Sequence, residues 1–312
     1  MVKQFDLVGI GECLIELREE SPDLYRQSVA GDVFNTLFYA SRLGMRTGFI
    51  SELGSDPFTA DILQVIHDES IDKSYVAHSD SKTNGLYLIS TNELGEPDYS
   101  FWRNDSAARQ TLSTVDRTKV AAYLSSAEYF HFSAIAFAIL NDREKLIPLI
   151  KGLVGSTKIS FDTNFRKGLW DDVGILRKFI ESSSPFVDVL FVSKADDEKI
   201  YFARPAESAM TFYRELGYRM VIYKQGRDDV LGWDGKKIFE IPPIENAIVV
   251  DATAAGDAFN AGFIAAQSKG YSFEDSIEAG NLCAAFVIGR PGGIAQDFDV
   301  SLPNHRHDRT SR

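Results

Sequence analysis

Apolar residues fall along this chain in short β-rich runs separated by helix-length segments. Residues 5–11 (Phe-Asp-Leu-Val-Gly-Ile-Gly) read as a first strand ending in glycine. Residues 34–44 read as a helix closed by Gly44, residues 47–53 as another strand and residues 59–69 as another helix. Further apolar runs stand at 129–132, 159–162, 187–192, 220–223 and 248–250. Such runs suit strands of a parallel sheet covered on both faces. The expected class is α/β, a doubly wound, mainly parallel sheet flanked by helices.

Two segments break this alternation. Residues 12–31 and 84–105 read as antiparallel strands with turns. Residues 84–91 alternate, residues 92–97 are turn-rich, and a period of two sets Tyr99, Phe101 and Arg103 on one face. Two strand-rich excursions predict a small β-sheet lid over the ligand edge of the main sheet. Residues 1–312 are then one α/β domain, with a lid built from two insertions, about 12–31 and 84–105. The sequence contains no repeat, low-complexity segment or Pro/Ser linker, and the polar tail 303–312 is expected to fray.

Composition narrows the function. With 312 residues and 44% aliphatic and aromatic residues, the chain can bury a large core. It carries 33 Lys+Arg against 45 Asp+Glu, a net charge of −12. That balance argues against nucleic acid and anionic membrane as partners, because both need basic surface. Any anionic substrate must therefore meet locally concentrated basic groups. The longest apolar stretch, residues 129–140, is shorter than the roughly 20 residues of a membrane-spanning helix. The N-terminal residues do not read as a signal peptide. Cys13 and Cys283 form no C-x-x-C and read as buried small hydrophobes in a reducing compartment. A cytoplasmic, soluble protein is expected.

Several motifs carry no function. Gly9-Ile10-Gly11 opens a G-x-G-x-x-G fingerprint, but Leu14 stands at its third glycine and no helix is expected to follow. A P-loop is absent. The five histidines lack a zinc pattern; His131, between apolar neighbours, reads as a satisfied near-core residue. His305 and His307 sit in the tail and would bind metal only adventitiously.

The informative stretch is Asp251-Ala252-Thr253-Ala254-Ala255-Gly256-Asp257-Ala258-Phe259-Asn260-Ala261-Gly262-Phe263. It follows the expected strand at 248–250 and becomes helix-compatible. Small residues at 254–256 let the backbone approach a ligand, and the helix that follows aims free N–H groups there. Together these make an anion hole suited to phosphate. Asp257 stands at the helix start, where a carboxylate is favoured in its ionised form. There it could accept a proton from an attacking hydroxyl. The spacing alone is met equally by an N-terminal cap on a small-residue packing face.

Asp251-x-Thr253-x-Ala255-Gly256-Asp257 resembles the D-T-x-[GA]-A-G-D signature of the ribokinase-like (PfkB) sugar kinases, with Ala254 in place of the commoner Gly. Gly31-Asp32-x-x-Asn35-Thr36 is similar to the family's G-G-x-x-x-N-x-A, with Ala30 and Thr36 where Gly and Ala are usual. The Ala30 change is expected to narrow the substrate floor slightly. The resemblance covers essentially the whole chain. It implies the ribokinase-like fold with a β-sheet lid, Asp257 as base, and backbone N–H groups of Ala254, Ala255 and Gly256 on the transferred phosphoryl. Gly31, Asp32 and Asn35 then fall in the substrate site.

Three further pieces resemble one subfamily, the 2-keto-3-deoxygluconate kinases. They are Gly11-Glu12-Cys13-Leu14-Ile15-Glu16-Leu17, Tyr99-Ser100-Phe101-Trp102-Arg103-Asn104-Asp105, and Asp162-x-Asn164-x-Arg166-x-x-Leu169-Trp170. The implied substrate carries a carboxylate, which arginine forks suit bidentately. Arg103 and Arg166 are the candidates this pattern points to, joined by Asn164. Without the motif, Arg103 would read as a solvated charge, and Arg166 as an ion-pair partner of Asp162 or Asp171. Tyr87 resembles the family's substrate-facing tyrosine. Phe101 stands where the subfamily commonly has tyrosine, which implies weaker binding or a wider substrate range.

On the nucleotide side the resemblance implies ATP and Mg²⁺. Residues 193–198 stand where the family has N-x-x-E, which points to Ser193 for the nucleotide and to Asp197 and Glu198 for water-mediated Mg²⁺. Lys224-Gln225-Gly226 resembles the nucleotide-phosphate loop, and Asn281 with residues 289–293 would neighbour adenine. Asp251 and Thr253 would border the nucleotide and help build a monovalent-cation loop, as in some relatives. The implied partners are a small sugar acid and ATP, with a homodimer or higher homo-oligomer through the lid. The rivals are a fructokinase or other ribokinase-like sugar kinase, and a non-catalytic sugar-acid sensor.

Overall fold

Val189 and Phe191 pack into one apolar core, while their neighbours Leu190 and Val192 pack into another. A strand buried on both faces needs apolar side chains at both parities, which is why these runs do not alternate. In the computed structural model, which describes residues 3–21, 23–91 and 97–302, that pattern recurs across a large sheet.

In chain order the strands are β1 (Phe5–Ile10), β2 (Leu14–Ser21), β3 (Leu24–Ala30), β4 (Thr47–Leu53), β5 (Asp72–His78), β6 (Gly85–Thr91), β7 (Pro97–Trp102), β8 (Ala127–Ser133), β9 (Lys158–Asp162), β10 (Val189–Ser193), β11 (Met220–Lys224), β12 (Val230–Trp233) and β13 (Ile238–Ile241). The main sheet runs β13-β12-β11-β10-β9-β8-β1-β4-β5. From β11 to β5 every pairing is parallel; β12 and β13 add an antiparallel edge. Helices Asp32–Arg42 and Ala255–Ser268 pack on one another, and Phe273–Ile288 packs on the latter.

The remaining strands form a separate four-stranded sheet, β3-β2-β6-β7. Both strand-rich excursions supply it. Each pairs antiparallel within itself, and the two join through a parallel contact between β2 and β6.

The structure corrects some expected elements. Residues 248–250 form no strand: Ile248, Val249 and Val250 are exposed, and the Val250 and Asp251 N–H groups donate to Ile288 O. The first helix starts at Asp32 rather than residue 34. Strands β5, β12 and β13 were not anticipated. Residues 92–96 of the turn-rich stretch, the tail from 303 onward and both tail histidines lie outside the described residues. Among the described residues, no helix is long and apolar enough to cross a membrane. Cys13 and Cys283 are free and buried. His131 is buried, with Nδ1 2.9 Å from Ser160 Oγ.

Candidate active site

The polar groups of this chain gather at the carboxyl ends of its parallel strands. Glu12 follows β1, Ser133 ends β8, Asp162 ends β9, Ser193 ends β10 and Lys224 ends β11. Register fixes the row, since Ser133 pairs with Asp162 and Ser193 with Lys224. In open parallel sheets ligands bind at this edge, where strand order reverses. Here the reversal lies around β1, between β8 and β4.

The Ala255–Ser268 helix points its N-terminus into this edge, and Asp257 is buried in its first turn. Asn35 Nδ2 donates to Asp257 Oδ2 at 2.8 Å, while Asn35 Oδ1 accepts from Gly31 N–H at 3.2 Å. That pairing orients the amide and leaves Asp257 Oδ1 for another partner. Burial, then the negative charges of Asp32 and Asp162, push the Asp257 carboxyl well above the usual range. Asn164 Nδ2 donates to Asp32 Oδ2 at 3.0 Å, whereas buried Asp32 Oδ1 has no hydrogen-bond partner.

Beside them lies a buried polar knot. Asp162 Oδ2 accepts from Lys224 Nζ at 2.9 Å and Asn260 Nδ2 at 2.5 Å, and Lys224 Nζ also donates to Asn260 Oδ1 at 3.1 Å. Burial works to raise Asp162, but Lys224 and these hydrogen bonds outweigh it and hold the carboxyl below its ordinary range. The ammonium also abuts the helix start, 3.3 Å from where a Gly256 side chain would begin.

The expected anion hole is altered in one member. The Ala255 N–H donates to Ala252 O at 3.3 Å. The N–H groups of Ala254, Gly256 and Asp257 have no acceptor among the described residues. Ala254 is left-handed, with φ 61°. The approach loop is tied down by Asp251, whose Oδ1 accepts from Thr253 N and Oγ1 (2.8 and 2.7 Å) and whose Oδ2 accepts from Gly292 N (2.9 Å).

The second sheet reaches this loop. Tyr99 Oη lies 3.0 Å from Thr253 Oγ1. Tyr87 donates to buried Glu16, which also accepts from Ser28 Oγ (2.9 Å) and Gly293 N (3.1 Å). The Phe101 ring stacks on Tyr87 at 5.4 Å and carries the Arg103 guanidinium 4.4 Å above it. The three residues placed on one face by their spacing therefore do line up, although Arg103 lies just beyond β7. Ala30 presses its methyl against Gly293.

The two arginines differ from the simple alternatives. Arg103 is not a solvated charge; it is 6% exposed and bonds Glu12 through Nη1–Oε1 at 2.5 Å. Arg166 is exposed and donates to Phe165 O at 3.1 Å, with no carboxylate in ion-pair distance among the described residues.

The nucleotide-side residues separate. Asp197 is fully buried, and its carboxylate accepts from Arg204, Tyr213 and Tyr223, so it faces away from the site. Glu198 is exposed. The acidic group turned toward the site is Asp196, buried and raised first by burial and then by Asp162. Ser193 Oγ caps its helix by accepting from Asp196 N at 3.1 Å. Gly226 takes φ 70°, and Asn281 Nδ2 donates to Pro242 O at 2.9 Å. Glu12, Glu16, Asp196 and Asn260 stood inside stretches that the sequence singled out, but none was given a role there.

A family model described as pfkB family carbohydrate kinase matches residues 4–299. The chain is 31% identical over 295 residues to the 2-dehydro-3-deoxygluconokinase of Escherichia coli (strain K12), covering 91% of this chain and 95% of that protein. It is 32% identical over 305 residues to the protein of the same name from Haemophilus influenzae, covering 94% and 96%. Among solved structures, a putative ribokinase II in complex with ATP and Mg²⁺ from E. coli superposes with a TM-score of 0.81. That match has 21% identity and covers 92% of this chain and 94% of that one.

Proposed function

The chain belongs to the pfkB family of carbohydrate kinases and is a phosphotransferase with an alcohol acceptor; from that premise we propose that it phosphorylates the terminal hydroxyl of 2-keto-3-deoxygluconate with ATP. The supporting observation is the buried Asp257 carboxylate, oriented by Asn35 beside the free N–H groups of its own helix.

Asp257 Oδ1 takes the proton of the attacking hydroxyl. Its raised proton affinity suits it to that transfer at neutral pH. The N–H groups of Ala254, Gly256 and Asp257, with Lys224 Nζ beside Gly256, stabilise negative charge on the transferring phosphoryl. Asp32, Asn164 and Tyr87 border the sugar, and Arg103 and Arg166 lie toward its carboxylate end. The second sheet covers the site and excludes water, held to the 251–256 loop through Tyr99 and to Gly293 through Glu16.

Among the described residues no cluster of three His, Cys, Asp or Glu could hold a metal alone. That fits Mg²⁺, which keeps most of its water and needs only one or two carboxylates beside nucleotide phosphates. Asp196 would hold it through water, and the ion would neutralise phosphate charge.

Asp257→Asn keeps the hydrogen bond to Asn35 and removes the base. We expect nucleotide affinity to persist while kcat falls by roughly 10²–10⁴. Calorimetric ADP or ATP binding and coupled ADP release measure the two, and near-normal kcat would sink the assignment. One observation favours a neutral-sugar kinase such as a fructokinase: Arg103 is already paired with Glu12. A turnover screen of 2-keto-3-deoxygluconate against fructose decides between them.

A further inference from the structure

Two arginines stand toward the substrate edge, and they differ in pairing: Arg103 has a carboxylate at ion-pair distance, and among the described residues Arg166 has none. Arg103 and Glu12 are both buried, at 6% and 1% exposure. They share a single hydrogen bond, and Arg103 Nε and Glu12 Oε2 are left without partners. Charge, one bond and the Phe101 ring hold the guanidinium, rather than a two-pronged fork. The charged groups acting on Glu12 are Arg103, Arg109 and Asp32. A tight opposite pair presents little net field to a third charge some ångströms away.

Arg166 is the contrast. It is exposed, it donates to the carbonyl of its neighbour Phe165, and no carboxylate neutralises it at contact distance among the described residues. Its charge acts on the carboxyls of Asp32 and Asp196 without contacting either, and Asp196 also feels Asp162, which Lys224 matches. An acidic substrate entering so acidic an edge needs an unpaired cation.

We propose that Glu12 masks the charge of Arg103, so that Arg166 selects the substrate carboxylate and Glu12, as a positioning residue, sets the preference for acidic over neutral sugars. This rests on the sugar-acid reading above. Arg103 still orients the substrate by hydrogen bonding and by stacking on Phe101, whichever sugar is bound.

The test is the ratio of kcat/KM for 2-keto-3-deoxygluconate to that for fructose, with Ki replacing KM for a sugar that is bound but not turned over. Glu12→Gln keeps an acceptor for Arg103 and removes the negative charge. We expect KM for the sugar acid to fall at least threefold while KM for fructose and both kcat values stay within twofold. The double variant Glu12→Gln/Arg103→Gln removes both charges as a unit, so it stays informative if the single variant fails to fold. Its KM values rise for both sugars, and the ratio stays within threefold of the unsubstituted enzyme. Arg166→Gln lowers the ratio tenfold or more. A tenfold loss of ratio in the double variant, an unchanged ratio in Arg166→Gln, or equal KM shifts for both sugars in Glu12→Gln overturns the proposal. Absence of any sugar-acid turnover in the unsubstituted enzyme overturns the sugar-acid reading instead.

Discussion

Asp257 shows how much of this site is decided by immediate neighbours. A carboxylate exposed at a helix N-terminus would be held ionised by the helix field. Here burial and the charge of Asp32 win, and the carboxyl binds its proton well above the ordinary range. If Asp257 is the base we propose, the free enzyme must lose that proton first, so kcat/KM should fall on the acid side at a pH above the ordinary carboxylate range. Asp32→Asn removes one negative charge, and the acid limb should move to lower pH even as overall efficiency drops. A pH profile of both proteins reads this directly; an unmoved limb would separate Asp32 from the titration. The sequence marked Asp257 plainly, because motif and helix start coincide. Which of the acidic residues 196–198 faces the strand ends was not legible, since consecutive helical residues point about 100° apart. Asp196 turns to the site and Asp197 turns into the core onto Arg204. The sequence marked Glu12 within a motif but not its pairing, because its partner Arg103 lies 91 positions away.

Elements were legible where burial was symmetric. β4, β8, β10 and β11 are apolar on both faces, and runs of that kind stand out from their surroundings. β5 is half-exposed and polar, and β12 and β13 are only four residues long, so neither composition nor length announced them. The run at 248–250 misled in the opposite direction. Its β-branched residues read as a strand, yet it lies exposed, tied through its backbone to the end of the Phe273–Ile288 helix. Gly31 is needed where β3 meets its helix, because a Cβ there would overlap the Glu12 carbonyl oxygen. At the head of the Ala255–Ser268 helix the opposite choice was made. Ala254 sits at φ 61°, a conformation that costs a non-glycine residue roughly 1–2 kcal/mol. Ala254→Gly should relieve that strain, offset by about 0.5–1 kcal/mol of added freedom in the unfolded chain. The expected net gain in urea unfolding is below about 1 kcal/mol. A loss of stability would mean that the Ala254 methyl packs better than its backbone strain suggests.

Across the whole molecule, acid acts in opposing directions. The net charge of −12 repels itself, so protonating surface carboxylates should favour the compact state. Asp257 adds to this, since the folded chain takes up its proton before the unfolded chain does. His131 opposes both. Burial among the strands lowers it to about 4, so the folded protein keeps it neutral while the unfolded chain protonates near 6.5. The stability this neutral histidine contributes is complete above pH 6.5 and is lost as pH falls toward about 4. At 1.36 kcal/mol per unit, the full loss is about 3 kcal/mol. Between pH 6.5 and 5 ordinary carboxylates remain ionised, so the histidine's slope should be visible there. His131→Asn retains a polar partner for Ser160 and cannot titrate. Its absolute stability will drop from altered packing, but its unfolding free energy should fall less steeply with acid than that of the unsubstituted protein. Parallel curves from urea titrations across this window would mean that His131 takes up its proton in the fold, against the direction its burial imposes.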